Sequence, residues 1–348
     1  MTTLLIVGCG LSTGSDLSQS STPDAVTQPA TADCRTIEHE LGAAEVCGQP
    51  QKIVVVGTHI LDLLLSLEAQ PAAYTAPLNA YRGEIFDNPA QQIPYLGDRI
   101  TTQPINLGNS EELSLETLTA LKPDLILGEA GRNGGQYDVL SQIAPTLLWP
   151  SRQNPGQWRE TLRSIAAALD RDAKAEAVIE QYETRMSDMR TQLAEVVTLH
   201  PTLLLLAANR LEAGVRIVEP NSYLGSLLEA IGFQLVSSPA ADNAALTSVE
   251  VLPDLNKADS IVVLGFNLDV GAIEETPEPS ANKSISDWFE AQQVQTVKQN
   301  WETNAIAQSL TASKEDRVYF TTFYKWNGLN GPIGAELILE ELRQFFLD

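Results

Sequence analysis

The sequence predicts an α/β protein of two α/β lobes joined by a single long helix, with a ligand cleft between the lobes. Short apolar runs rich in Val, Ile and Leu alternate with segments whose apolar residues recur at helical spacing, the pattern of parallel strands covered by helices on both faces. The alternation is interrupted once, between residues 172 and 197, by a stretch dominated by Ala, Glu, Arg, Gln and Met and free of Gly and Pro. It resumes at Thr202-Leu203-Leu204-Leu205-Leu206-Ala207, directly after Pro201.

The chain opens on Leu5-Ile6-Val7-Gly8-Cys9, and residues 10–31 are dominated by Ser, Thr, Gln, Pro, Ala and small acids. An apolar run, a small residue and a cysteine ahead of a solvated tether read as a bacterial lipoprotein processing site, with lipid expected on Cys9. Such an anchor places the protein outside the cytoplasm, in the periplasm or at the cell surface. Only eight residues, with no Lys or Arg, precede Cys9, so a start codon upstream is expected. A free cysteine in a flexible tail is the plainer alternative.

Cys34 and Cys47 flank a segment in which Leu41-Gly42 resembles the corner of a hairpin. In an exported protein such a pair is expected to be bridged, and no Cys-x-x-Cys or Cys/His cluster points to structural zinc.

The first β-α unit follows, with Lys52-Ile53-Val54-Val55-Val56-Gly57 as strand and Leu61, Leu64, Leu65 and Leu67 on a helix. The spacing predicts helix over 114–122, strand over 123–127, helix over 137–143 and strand over 146–149. In the second half it predicts helix over 221–231, strands over 260–264 and 317–320, and a closing helix over 334–346. Residues 274–279 read as a solvated surface loop. The division that follows is a signal remnant and tether over 1–33, a first lobe over 34–169, a connecting helix over 170–198 and a second lobe over 199–348.

Composition bounds the function. With 348 residues, 43% of them hydrophobic, the chain can bury one large core or two ordinary ones, and no stretch approaches the roughly 20 apolar residues of a spanning helix. A formal charge of −23 repels nucleic acid and anionic headgroups, so an anionic ligand needs a local basic pocket. The protein is expected to be a monomer that binds no nucleic acid and touches the membrane only through its anchor.

Signatures of enzymes are mostly missing: there is no Gly-x-Ser-x-Gly, no Gly-Lys-Ser/Thr loop, and Gly57-Thr58-His59-Ile60 stands where a dinucleotide fingerprint would. No cofactor and no catalytic residue is expected. His39, His59 and His200 lie far apart, and only His59 falls on a strand-to-helix loop, where a helix-start or cleft-wall role outweighs metal binding.

Basic and aromatic residues in loops at strand ends are more informative. Arg82, Arg99, Arg132 and Arg210 occupy such loops, and Tyr324-Lys325-Trp326-Asn327 follows the last strand. In so acidic a chain, guanidinium groups there suit a ligand rich in carboxylates or other oxyanions, with Tyr324 and Trp326 supplying apolar contact. Each arginine also has a plain alternative, a surface ion pair with one of the many acids.

These features resemble a family, the ABC-importer substrate-binding proteins for ferric siderophores, cobalamin or haem (class III periplasmic binding proteins). Ser114-Leu115-Glu116-Thr117-Leu118 running to Lys122-Pro123-Asp124-Leu125-Ile126 is similar to its first-lobe segment, and Asn221 to Gly232 to the second-lobe counterpart. Ser248-Val249-Glu250-Val251-Leu252 followed by Ala258-Asp259-Ser260-Ile261, and residues 314–319 followed by Gly331-Pro332, also match; the resemblance runs from Arg35 to the C-terminus.

The resemblance implies a non-enzymatic binding protein that captures a ferric siderophore and delivers it to an ABC permease. It implies ligand contacts at Arg132, Arg210, Tyr324 and Trp326, and permease docking through Glu116 and Glu250. Helix N-terminal acids favoured by the macrodipole are the alternative for those two glutamates. Where some hydroxamate binders carry an arginine before the first-lobe motif helix, this chain has Gly108-Asn109-Ser110, so the same chelate chemistry does not carry over. A cobalamin or haem binder, and less so an exported α/β enzyme, are the rival readings.

Overall fold

A computed structural model of the chain describes residues 33–76, 81–150, 154–237, 246–266 and 284–347. Cys9, the tether and the loop expected over 274–279 lie outside the described residues.

The described body opens on an antiparallel hairpin, β1 (Cys34–His39) and β2 (Gly42–Cys47), turning at Glu40 and Leu41. Its end pair in register is Cys34 with Cys47, and the two are joined by a disulfide. Ile37 and Val46 enter the core, and the Glu40 amide donates to the Leu148 carbonyl, so the hairpin is docked on the first lobe. Replacing both cysteines by serine is expected to lower stability by about 3 kcal/mol in the chain-entropy picture, read as a shift of the denaturant midpoint against the oxidised parent.

The first lobe continues as β3 (Ile53–Val56), α1 (Thr58–Ser66), β4 (Ala73–Ala76), α2 (Pro89–Gln92), β5 (Ile105–Asn109), α3 (Leu115–Leu121), β6 (Leu125–Glu129), α4 (Ala130–Asn133), α5 (Tyr137–Ile143), β7 (Thr146–Trp149) and α6 (Gln157–Leu169). Its strands pair in the order β5-β4-β3-β6-β7, all parallel. The connecting helix α7 (Asp172–Gln192) carries one buried stripe, Ala175, Val178, Tyr182, Met186 and Met189, at the three- and four-residue spacing of a single helical face. The expected helix ends earlier than its composition indicates. At buried Leu193 the backbone leaves helical geometry, and the chain continues as α8 (Ala194–Leu199).

The second lobe comprises β8 (Thr202–Ala208), β9 (Arg216–Ile217), α9 (Tyr223–Ile231), β10 (Gln234–Leu235), β11 (Ser260–Gly265), α10 (Ile285–Thr303), α11 (Ala305–Ser309), α12 (Thr311–Lys314), β12 (Val318–Thr322), α13 (Phe323–Gly328) and α14 (Pro332–Phe346). Parallel strands run β10-β8-β11-β12, and β9 pairs antiparallel with β8.

Strand residues alternate between faces, and the alternation sorts them into three cores. Val54, Val56 and Ile126 pack on the outer face of the first sheet, Leu204, Leu206 and Val263 on the outer face of the second. Val55, Leu127, Leu205 and Val262 face a shared core that also holds α1, α6, α7, α9 and α14. One apolar interior therefore runs through both lobes and their connecting helix, which restrains how far the lobes can swing.

Candidate functional site

Open parallel sheets bind ligands beyond the carboxyl ends of their strands, and here those ends meet across the lobes. Thr58, at the start of α1 just after β3, bonds through Oγ1 to the Tyr324 hydroxyl at 3.0 Å and to the Tyr74 hydroxyl at 3.2 Å. Tyr324 belongs to α13, just after β12, so first-lobe and second-lobe strand ends are linked directly. Burial pushes the Tyr74 phenol well above its ordinary range.

Tyr95, in the connection between α2 and β5, makes a second bridge. Its amide donates to Ser286 Oγ at 2.9 Å, its hydroxyl lies 3.1 Å from Thr322 Oγ1, and its ring sits 6.0 Å from that of Tyr324. A φ of +62° is uncommon for a residue with a side chain, and the contacts around Tyr95 hold it there. Lys325 lies 5.2 Å above the Tyr95 ring while pairing with Glu290 and, at 2.9 Å, with Glu341. Burial pulls the Lys325 ammonium down, but the two carboxylates outweigh it and its pKa is raised.

The residues expected to bind ligand divide between this region and others. Arg132, on α4 straight after β6, is half exposed, with Nε 3.6 Å from the buried carboxylate of Glu129. Arg210, in the turn after β8, is exposed, and among the described residues no acid pairs with its guanidinium. Tyr324 lies partly exposed at the junction, and Arg82 is exposed in the connection between β4 and β5.

Two expectations need correcting. Trp326 is 0% exposed and donates its indole N–H to Glu341, so it backs the wall of the cleft and offers no face to a ligand. Arg99 is joined to Glu336 of α14 at 3.0 Å, beside Arg185 of α7 at 2.7 Å, so its charge links the first lobe to the C-terminal helix. No contact among the described residues joins the four arginines to one another.

His59 is buried in the first turn of α1, with Nδ1 2.7 Å from the Leu329 carbonyl. Among the described residues the one group of side chains grouped as metal ligands would be, Cys34, Cys47 and Glu45, has its two sulfurs bonded to each other.

Sequence reasoning missed Tyr95, Thr58 and Asp62. Asp62 had a readable signal, being the single charge in Ile60-Leu61-Asp62-Leu63-Leu64-Leu65, a helix apolar all round. Tyr95 had none, because its importance comes from a backbone turn that places it against the other lobe.

Glu116 and Glu250 are exposed, each the second residue of a helix, α3 and the 3-10 helix Val249–Leu255. A serine caps each helix: Ser114 accepts from the Thr117 amide and Ser248 from the Glu250 amide, both at 3.3 Å. The two lobes thus repeat one local arrangement, Ser-x-Glu at a capped helix start.

Residues 53–324 match the family described as periplasmic binding protein. The chain is similar to the probable siderophore-binding lipoprotein YfiY of Bacillus subtilis (strain 168), 24% identical over 337 residues that cover 94% of this chain and 92% of that one. It is also similar to the Fe(3+) dicitrate-binding periplasmic protein FecB of Escherichia coli (strain K12), 24% identical with 89% and 90% covered. In fold it resembles Staphylococcus aureus SirA complexed with staphyloferrin B, with a TM-score of 0.66, 22% identity, and 89% of this chain and 97% of that one covered.

Proposed function

The chain belongs to the periplasmic binding protein family, and from that membership we propose that it captures a ferric siderophore outside the cytoplasm and hands it to the permease of an ABC importer. The observation that carries this reading is the placement of two exposed guanidinium groups, Arg132 and Arg210, at the carboxyl ends of β6 and β8 in opposite lobes. Guanidinium forks match carboxylate and other oxyanion donors of a ferric chelate in a bidentate way. Relatives named for siderophore and ferric dicitrate binding, similar over most of their lengths, support the ligand class.

Glu129 tempers the local charge. Its buried carboxylate beside Arg132 leaves the second lobe's Arg210 as the stronger single anion contact. Tyr324 completes the ligand set at the junction, with Arg82 at its margin. Lipid on Cys9 holds the protein at the membrane, and Glu116 and Glu250 register its two lobes on the permease.

Fluorescence quenching tests the ligand set, because five tryptophans supply signal. Ferric citrate-type, hydroxamate and catecholate chelates are titrated into the parent, Arg132→Ala and Arg210→Ala. Each substitution is expected to weaken the best chelate about tenfold or more, since a charge-assisted hydrogen bond is worth roughly 1.5–3 kcal/mol and 1.4 kcal/mol is a decade. If both variants bind that chelate as tightly as the parent, the anionic-siderophore reading fails and a neutral or apolar ligand is the better account.

A further inference from the structure

One face of α1 runs along the corner between α13 and α14. Thr58 meets Tyr324, His59 meets the Leu329 carbonyl, and Asp62, one turn on, accepts from the backbone amides of Ile333 at 3.1 Å and Gly334 at 2.8 Å. Those amides belong to the first turn of α14, where helix N–H groups have no partner within the helix and the dipole favours an anion. The carboxylate of a first-lobe residue thus completes a helix that begins in the second lobe's last connection.

The site is built to admit it. Asp62 is 0% exposed, Ser66 also donates to its Oδ1, and the Tyr223 hydroxyl of α9 bonds to the Gly331 carbonyl at 3.2 Å. A Cβ on Gly331 would lie 2.6 Å from Asp62 Cγ and Oδ1, and one on Gly334 3.3 Å from Oδ2. Gly331 therefore leaves space that the carboxyl fills, while the space beside Gly334 is taken first by Leu329, whose Cβ would lie 2.6 Å from the added one.

We propose that Asp62 is a positioning residue that sets the second lobe's α13–α14 corner, and with it Tyr324, against the first lobe, and that its protonation state governs how readily this junction opens. The link to Tyr324 rests on the ligand-capture reading above; the link to junction opening does not.

The sign follows from burial. Burial pushes the Asp62 carboxyl up to about 6, and the two amides, Ser66 and the Arg99 guanidinium only partly offset it. The other titratable group acting on it is Tyr223 of α9, with Arg99 paired to Glu336 of α14, while the ring of His59 on α1 is turned to the Leu329 carbonyl. The closed junction therefore binds more protons than an opened, hydrated one between the ordinary carboxyl range and pH 6. Its closure is firmest in acid, weakens as pH rises through that window, and levels off above it.

Hydrogen exchange at the Ile333 and Gly334 amides of the ligand-free full chain, corrected for intrinsic rates, tests this from pH 4.5 to 7. Protection is expected to fall roughly tenfold or more across the range in the parent and to stay flat in Asp62→Asn, a neutral isostere. A flat or rising profile in the parent, which needs no variant, overturns the proposal, and so does the same fall persisting in Asp62→Asn. A second arm compares ferric citrate affinity of parent and Asp62→Asn at equal pH, which cancels chelate speciation. The parent's affinity relative to the variant is expected to drop several-fold from pH 4.5 to 7, and an unchanged ratio overturns the link to Tyr324. A chelate that binds none of the proteins, the arginine variants included, sinks the ligand reading while the exchange profile still decides the junction.

Discussion

Reversing both lobe-surface acids, Glu116→Arg with Glu250→Arg, is expected to abolish chelate-dependent iron uptake while chelate binding stays within about twofold of the parent. Both side chains are exposed at capped helix starts, one in each lobe. An exposed ion pair contributes only about 0–1 kcal/mol, so the docking proposed for these two glutamates would set register on a permease more than supply affinity. Reversal turns that register into like-charge repulsion against a basic partner, an effect of opposite sign at both contact points. The cost to the fold is small, since a cation at a helix start loses roughly 0.3–1 kcal/mol of dipole interaction at each site. Uptake by intact cells, quenching titration and thermal unfolding of the double variant separate the three contributions. Unchanged uptake would leave the glutamates as helix-start acids and nothing more.

Gly331→Ala is expected to lower stability by about 3 kcal/mol or more. The backbone there has φ −131° and ψ −171°, which any residue adopts, so the effect is steric and not conformational. The added Cβ would stand 2.6 Å from a fully buried carboxyl. Either Asp62 moves off the Ile333 and Gly334 amides, leaving a buried charge without its donors, or α14 shifts against α1. Overpacking costs about 1–3 kcal/mol and breaking a buried charged pairing about 3–5 kcal/mol. Gly135→Ala, where a Cβ meets nothing within 4 Å, is the matched control and should change the urea midpoint little. Equal midpoints for the two variants would refute the tight seat inferred for Asp62.

Much of this architecture was legible because its strands are buried on both faces. Ile53 to Val56 are 0–4% exposed, and a run with no polar face has few homes other than the middle of a helix-covered sheet. The helix over 137–143 and the strand over 146–149 emerge with the bounds that periodicity gave, Pro145 separating them. The end of α7 was less legible, because Leu193 carries no Gly or Pro signal and the break there depends on packing.

The site was read less well, for a reason visible in α13. Tyr324 and Trp326 are two positions apart on a helix, which puts them on different sides, so both could not face one cleft. Tyr324 takes the junction and Trp326 the core. Arg99 was misassigned because the direction of a loop side chain depends on what packs against it, here Glu336, more than two hundred residues away. The inter-lobe contacts of Asp62 and Tyr95 are of the same kind, made between segments that sequence order keeps far apart.

The hairpin at the start of the body has a mechanical side. If the chain is held by its N-terminal end, tension enters at residue 33 and meets β1 first. An antiparallel pair pulled from its open end unzips one rung at a time, each rung yielding at low force. Here the first rung is Cys34 opposite Cys47, and it is covalent. Load therefore bypasses the residues between the two cysteines and passes straight to Gly48 and on to β3, the central strand of the first sheet. The hairpin hangs slack beside that path, free to stay docked on β7 while the rest of the molecule is tugged at its leash.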